Sequence, residues 1–234
     1  MTRHIPIALL CLAELIACDN NPGEGKPKAE VAEPTEPAAN PQGEAASTPS
    51  AEPSAEDKAG QAAQGETTYS FNQENAKVAF VGAKVTGKHE GSFEKFSGSI
   101  KVPGGDLTKG TVSADIDTSS VVADEEKLTK HLRSPDFFNV AEMPKATFVS
   151  TAVVAGGADG ATHTIKGNLN LHGVEKGISF PAKMAIEGDK ITVDAEFVIN
   201  RKEFGIEYPG MPDDLIKDDV LIKLSVNAAS TPQS

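Results

Sequence analysis

The 234-residue chain contains no tryptophan, two tyrosines and two cysteines. Both cysteines, Cys11 and Cys18, fall in the first eighteen residues. No disulfide can therefore staple the remainder, and its stability must come from packing. Positive charge is also scarce: Lys and Arg number 22 against 34 Asp and Glu, for a net charge of −12. Without a basic stripe, nucleic acid is not an expected partner. The acidic balance makes the chain soluble and self-repelling, and it names no substrate. Catalytic and metal-binding patterns are lacking as well. His89, His131, His163 and His172 show neither HxH nor HExxH spacing. No Ser-His-Asp grouping follows from spacing, and no glycine-rich loop runs into a helix. The chain is therefore read as a non-enzyme without a metal or cofactor.

Long apolar runs are missing too. Ile5 to Ile16 is mostly apolar after a basic start at Arg3, and it is too short to cross a bilayer as a permanent helix. It ends in Leu15-Ile16-Ala17-Cys18, which resembles the lipobox of bacterial lipoproteins. That resemblance implies a signal peptide over 1–17, cleavage before Cys18 and acyl chains on Cys18. Several acyl chains anchor stably, whereas one alone is marginal. Residues 19–66 hold seven prolines and eleven alanines, no aromatic residue, and Val31 as their single large aliphatic. Such a segment buries too little apolar surface to offset its ordering entropy, so 18–66 is expected to be a disordered linker. As a flexible chain it would span roughly 40 Å.

What remains, 67–230, reads as one domain. Ile178, Phe180, Ala182, Met184 and Ile186 alternate with more polar neighbours up to a Glu187-Gly188-Asp189-Lys190 turn. Ile191, Val193, Ala195, Phe197 and Ile199 repeat the pattern. Period-two alternation makes each run a strand with one apolar face, and the turn predicts an antiparallel hairpin. Further strands are expected over Thr68–Phe71, Lys77–Val85, Phe93–Val102, Thr111–Asp117, Lys145–Thr151, Ile165–Leu171 and Val220–Val226. Asp124 to Leu132 is the one helical stretch, acidic at its start and basic at its end. Tyr208 to Asp214 is a loop. About eight antiparallel strands most simply remove their edges by closing into a barrel. Such a barrel either fills with side chains or holds one small ligand. Periodicity alone leaves both open.

Three segments carry a family resemblance. The first is His131-Leu132-Arg133-Ser134-Pro135-Asp136-Phe137-Phe138-Asn139-Val140, running on through Pro144 to Ala146-Thr147-Phe148-Val149-Ser150-Thr151. The second is Leu169-Asn170-Leu171-His172-Gly173-Val174-Glu175-Lys176, and the third Ile199-Asn200-Arg201-Lys202-Glu203-Phe204-Gly205-Ile206. In this order and spacing they resemble the YceI-like family, from about Thr67 to Ala228. The resemblance implies an all-β, eight-stranded antiparallel lipocalin-like barrel with one or two short helices, exported, and holding an isoprenoid-like lipid of polyprenyl or quinone type in several members. Members often carry Thr where Glu175 stands and Pro where Gly177 stands.

The candidate ligand-binding residues are Phe93, Phe96, Phe137, Phe138, Phe148, Phe180, Met184, Val193, Phe197 and Phe204, with Arg133 and Arg201 among the polar residues of the motifs. Phe137 and Phe138, adjacent on a loop, are expected at the barrel mouth. His131, Arg133, His172 and Arg201 either approach a polar head group or serve as structural caps and ion-pair partners. The expected function is a carrier or sequestering protein, lipid-anchored at Cys18 in the bacterial cell envelope with its domain facing the periplasm. The competing reading is a structural or interaction module with a filled barrel.

Overall fold

The computed structural model describes residues 21–35 and 65–231. The expected signal peptide, the lipidation of Cys18 and residues 36–64 lie outside the described residues. Along the chain run β1 (Glu30–Ala32), β2 (Glu66–Asn72), β3 (Ala76–Lys84), β4 (Gly87–Phe93), β5 (Phe96–Pro103), β6 (Thr111–Asp117) and β7 (Val121–Ala123). After these come α1 (Glu126–Leu132), β8 (Lys145–Ala155), β9 (His163–Leu171), β10 (Val174–Glu187) and β11 (Lys190–Asn200). A small hairpin of β12 (Gly210–Met211) and β13 (Asp214–Leu215) precedes the closing strand β14 (Asp219–Ala229).

Three pairs of strands are bent staves. β2 continues into β3, β4 into β5, and β6 into β7 through the turn at Thr118–Ser120. With β8, β9, β10, β11 and β14 they make eight staves, each antiparallel to the next. β14 then pairs with β3, Leu221 opposite Val81 and Val226 opposite Ala76, which returns the ladder to the first stave. Closure satisfies the backbone groups that an open edge would expose. The apolar faces read from the alternation turn inward, and Ile100, Phe180, Ile191 and Phe197 join one buried cluster.

Turn chemistry sets the register of the hairpins. Leu171 pairs with Val174, so His172 and Gly173 form a two-residue loop, with φ of 55° and 74°. Two successive left-handed residues are what a type I′ hairpin turn requires. In α1, Glu126 lies in the first turn and Lys130 and His131 in the last, as the helix dipole favours.

One ladder is incomplete. β10 and β11 pair only from Lys183↔Asp194 to Glu187↔Lys190. Beyond that, β10 turns its remaining residues to β9, and β11 pairs with β14. The hairpin legible in the sequence is thus splayed over half its length, and a seam opens between the strands.

Residues 21–35 occupy that seam, which departs from the reading of 18–66 as a disordered linker. The Val198 N–H donates to the Pro27 carbonyl at 2.9 Å, and the Ala29 N–H donates to the Val198 carbonyl at 2.8 Å. β1 then pairs with β10, Glu30↔Ser179 to Ala32↔Gly177. Average composition missed this because ordering here comes from backbone hydrogen bonds to two strand edges, helped by the buried Ala29 and the partly buried Val31.

Candidate functional site: an apolar cavity and the groove at its end

Inside the barrel lies a cavity of about 160 Å³ with an almost wholly apolar lining. Its wall draws on every stave, because on each strand alternate residues point inward. Of the candidate residues, Phe93, Phe148, Phe180, Val193 and Phe197 line it. Phe71, Ile100, Val112, Leu169 and Ile222, which were not singled out, line it too. Their alternation was visible; which part of each face borders free space was not. Phe180 stacks on Phe197, and Phe148 tilts against Phe180 with ring centroids 5.8 Å apart.

A second depression of about 490 Å³ lies at the end of the barrel that carries α1. Phe80, Leu128, His131, Phe137, Tyr208 and Ile216 border it. Phe137 stands edge-on to His131 and tilts against Tyr208 at 5.5 Å. Between groove and cavity sits an aromatic trio: Phe138 meets Phe93 at 5.5 Å and Phe80 at 6.3 Å, and Phe80 meets Phe93 at 5.8 Å. Phe93 belongs to the cavity wall and Phe80 to the groove wall. The loop Tyr208–Asp214 becomes the β12–β13 hairpin, which closes one side of the groove.

The remaining candidates sit elsewhere. Phe96, Met184 and Phe204 are buried in the packed core without reaching the cavity wall. Arg133 donates from Nη2 to the Val121 carbonyl at 2.9 Å, tying α1 to β7. Arg201 is 4% exposed. Its guanidinium donates to the carbonyls of Lys217 (3.1 Å) and Ile206 (2.6 Å) and reaches Ile216 and Asp218 at 3.5 Å. Arg201 is therefore a structural tie, because a buried guanidinium must spend its donors on nearby acceptors; Arg133 is exposed and commits one donor to Val121. Burial pushes the Arg201 guanidinium below its ordinary pKa, and Asp218 acts against that. His172 is held by its turn and lies 3.2 Å from the Phe204 carbonyl through Nδ1.

Polar groups ring the groove in pairs. His131 Nε2 lies 2.9 Å from Asp136, and His89 Nδ1 lies 3.1 Å from Asp124. Lys84 Nζ lies 2.9 Å from Asp214. Hydrogen bonding to Lys84, followed by that to Thr86, holds the Asp214 carboxyl below the usual carboxylate range. Among the described residues no three His, Cys, Asp or Glu side chains are grouped as metal ligands. No helix among them is long and apolar enough to cross a membrane.

The YceI-like domain family matches residues 69–228. A UPF0312 protein of Pseudomonas putida strain W619 is 31% identical over 139 residues, covering 57% of this chain and 71% of that protein. Protein YceI of Salmonella arizonae is 36% identical over 122 residues, 50% of this chain and 62% of that one. Among solved structures, BcnA of Burkholderia cenocepacia superposes with a TM-score of 0.59 at 26% identity, over 66% of this chain and 96% of that one. A polyisoprenoid binding domain from Saccharophagus degradans superposes with a TM-score of 0.56 at 19% identity, over 70% and 98%.

Proposed function

This chain belongs to the YceI-like domain family, and from that premise we propose that it binds an isoprenoid-like apolar lipid inside its barrel, as a membrane-anchored carrier or sequestering protein of the bacterial cell envelope. The observation that supports this most is the cavity inside the barrel, whose almost wholly apolar lining is drawn from all eight staves. An apolar cavity of this kind excludes water and favours an apolar guest. The solved domain from Saccharophagus degradans is described as polyisoprenoid-binding. The aromatic trio of Phe80, Phe93 and Phe138 separates a buried tail from the groove, where His131 and Tyr208 offer polar atoms to a head group.

Anchoring at Cys18 would give the barrel an orientation. Asn21, three residues on, receives a hydrogen bond at 3.0 Å from Lys88 Nζ through its carbonyl oxygen. Lys88 lies at the tip of the β3–β4 hairpin, beside the groove end. Val85, Met211 and Leu215 are large apolar residues left exposed on the two hairpins there. A lipidated Cys18 would bring that end against the membrane, where exposed apolar side chains are tolerated.

Native mass spectrometry of the full chain, purified in detergent, tests the binding reading. The expected result is an adduct of isoprenoid mass, or its appearance on adding ubiquinone or a polyprenol. An empty barrel that answers to neither would overturn it. One observation favours the alternative, a filled barrel serving as an interaction module: the cavity falls below the ~300–1,000 Å³ usual for ligand pockets. On that reading the added lipids leave the mass unchanged.

A further inference from the structure

The small cavity poses a problem that the seam answers. A long apolar chain fits only if the wall gives, and seven of the eight staves' junctions are direct ladders. The exception is the half of the β10–β11 junction that residues 27–32 fill. There the inserted segment runs antiparallel to β10 and parallel to β11, with its single bridge to β11 at Lys28↔Val198. Parallel pairing is slightly the weaker kind, and the backbone link to β11 consists of the two hydrogen bonds at Val198.

The segment is nonetheless a fitted part of the wall. Val31 lies opposite Ile178, a cavity-lining residue, so it and Ala29 face the interior. Pro22 and Gly23 are buried on the outer surface, where Gly23 lies tight against the Val198 side chain. Val198, Leu221 and Val81 form an outward apolar stripe across β11, β14 and β3, none more than 6% exposed. The far end is pinned by Asn168, whose amide accepts from the Thr35 N–H at 3.1 Å and donates to the Thr35 carbonyl at 2.7 Å. Gly177 completes the fit: a Cβ there would stand 2.7 Å from the Glu33 carbonyl oxygen. Ion pairs Lys26–Glu196, Lys28–Asp219 and Lys176–Glu33 hold the outer side, all of them solvent-exposed and therefore weak.

We infer that residues 22–35 are a removable stave, and that the seam between β10 and β11 is a lateral portal through which an isoprenoid chain reaches the cavity. The inference rests on the carriage reading. Releasing the stave frees the edges at Val198 and Gly177–Ser179 and separates walls that carry Phe180, Ile178, Phe197 and Ile199. The lipid then slips in sideways, without having to thread between Phe80, Phe93 and Phe138.

The test follows the loading of all-trans-retinol, an isoprenoid whose own fluorescence reports its transfer from water, into the full chain in detergent. Gly177→Ala and Asn168→Ala act on the stave and on no cavity-lining side chain. Each is expected to raise the loading rate by about tenfold, the change produced when local opening becomes ~1.4 kcal/mol easier. Hydrogen exchange at Val198 should quicken in parallel. Glu30→Cys with Ser179→Cys places two thiols on directly opposed residues, roughly 4.5–5.5 Å apart at Cα and within disulfide reach. Oxidised, and with the 30–179 crosslink verified by peptide mapping, this variant should load about tenfold more slowly and recover on reduction. Equal loading rates in released and locked proteins would overturn the portal and leave carriage standing. No retinol uptake by any variant, with no lipid adduct in native mass spectra, would overturn carriage and portal together.

Discussion

Phe180 on β10 and Phe197 on β11 stack face to face, with ring centroids 4.1 Å apart and planes 14° apart. Continuing the Lys183↔Asp194 register by three residues on each strand sets them opposite one another. No ladder joins the strands at that point. The two rings span the seam on its inner side while residues 27–32 span it in the wall, so a local loss of backbone pairing is offset by apolar contact and by a borrowed strand. Stacked aromatic pairs contribute about 0.5–1.5 kcal/mol beyond their burial.

Phe197→Ala should therefore be costly. Phe197 is 3% exposed, and its removal enlarges a cavity that a closed barrel cannot collapse. The expected loss is about 3–5 kcal/mol, read from the midpoint shift in a urea titration. A loss below about 1 kcal/mol would show that the seam relaxes to fill the space.

Ala114→Leu separates a binding barrel from a filled one. Ala114 lines the cavity on β6, beside Phe148 in the β6–β8 register. Added methylenes enter space that is empty without ligand, so the melting temperature should hold or rise while lipid uptake falls. Unchanged uptake would mean that the lipid sits elsewhere.

The barrel was legible because a strand with one buried face must alternate, and strands β10 and β11 do so almost without interruption. The helix was legible from Glu126 and Lys130, whose charges match its dipole. The seam was not, since alternation reports which way Phe180 and Phe197 point and says nothing of whether their strands stay paired. The docking of residues 21–35 was hidden for a related reason: a few backbone hydrogen bonds and one Val31 leave no mark on a composition dominated by Pro, Ala and Glu. Arg201 stayed open in the sequence between a head-group contact and a structural tie, because its carbonyl partners at Ile206, Ile216 and Lys217 belong to backbone whose path no side-chain pattern announces.

Arg201 carries a stability prediction of its own. Its removal leaves buried carbonyls without donors, and a lone unsatisfied group costs about 1–3 kcal/mol. Arg201→Met should lower stability by about 3 kcal/mol or more, as breaking a buried charged network does. Arg201→Lys should recover little of it, because one ammonium cannot replace a planar fork directed at several acceptors. Retinol uptake by the folded fraction should be unchanged in both, which distinguishes a structural tie from a ligand contact. Thermal melts and loading amplitudes together decide it.

Gly98→Ala probes how the aromatics are seated. Gly98 pairs directly with Phe71 across β2 and β5, and a Cβ there would stand 2.1 Å from the ring and 2.4 Å from the Ser113 carbonyl oxygen. The ring lies over the glycine, as aromatics do when they cover a residue without a side chain. Displacing it into the cavity should cost about 1–3 kcal/mol, as overpacking generally does, and should reduce lipid uptake. Chemical denaturation of the variant gives the first quantity and retinol titration the second.

Acid should loosen the groove end through Asp214. Its carboxylate accepts from the Thr86 N–H at 3.1 Å and the Thr86 hydroxyl at 2.9 Å, besides facing Lys84. These contacts lower its pKa in the folded protein and raise that of Lys84. A depressed carboxyl stabilises the fold above its unfolded value, about 3.9. That contribution is lost as pH falls through the still lower folded value. Lys84, raised, keeps its contribution until the medium is alkaline, so the tie between the β12–β13 hairpin and the β3–β4 tip holds across the neutral range. Asp106 and Asp117 are lowered in the same direction by Thr108 and Ser119, so the barrel as a whole also weakens in acid. Protection of the Thr86 amide from hydrogen exchange, taken relative to its intrinsic rate, should fall below about pH 4, ahead of protection in the barrel strands. Asp214→Asn should show fast exchange already at neutral pH and no further acid step at that site. Protection at Thr86 that is flat with pH in the unsubstituted chain would disprove the role given to Asp214.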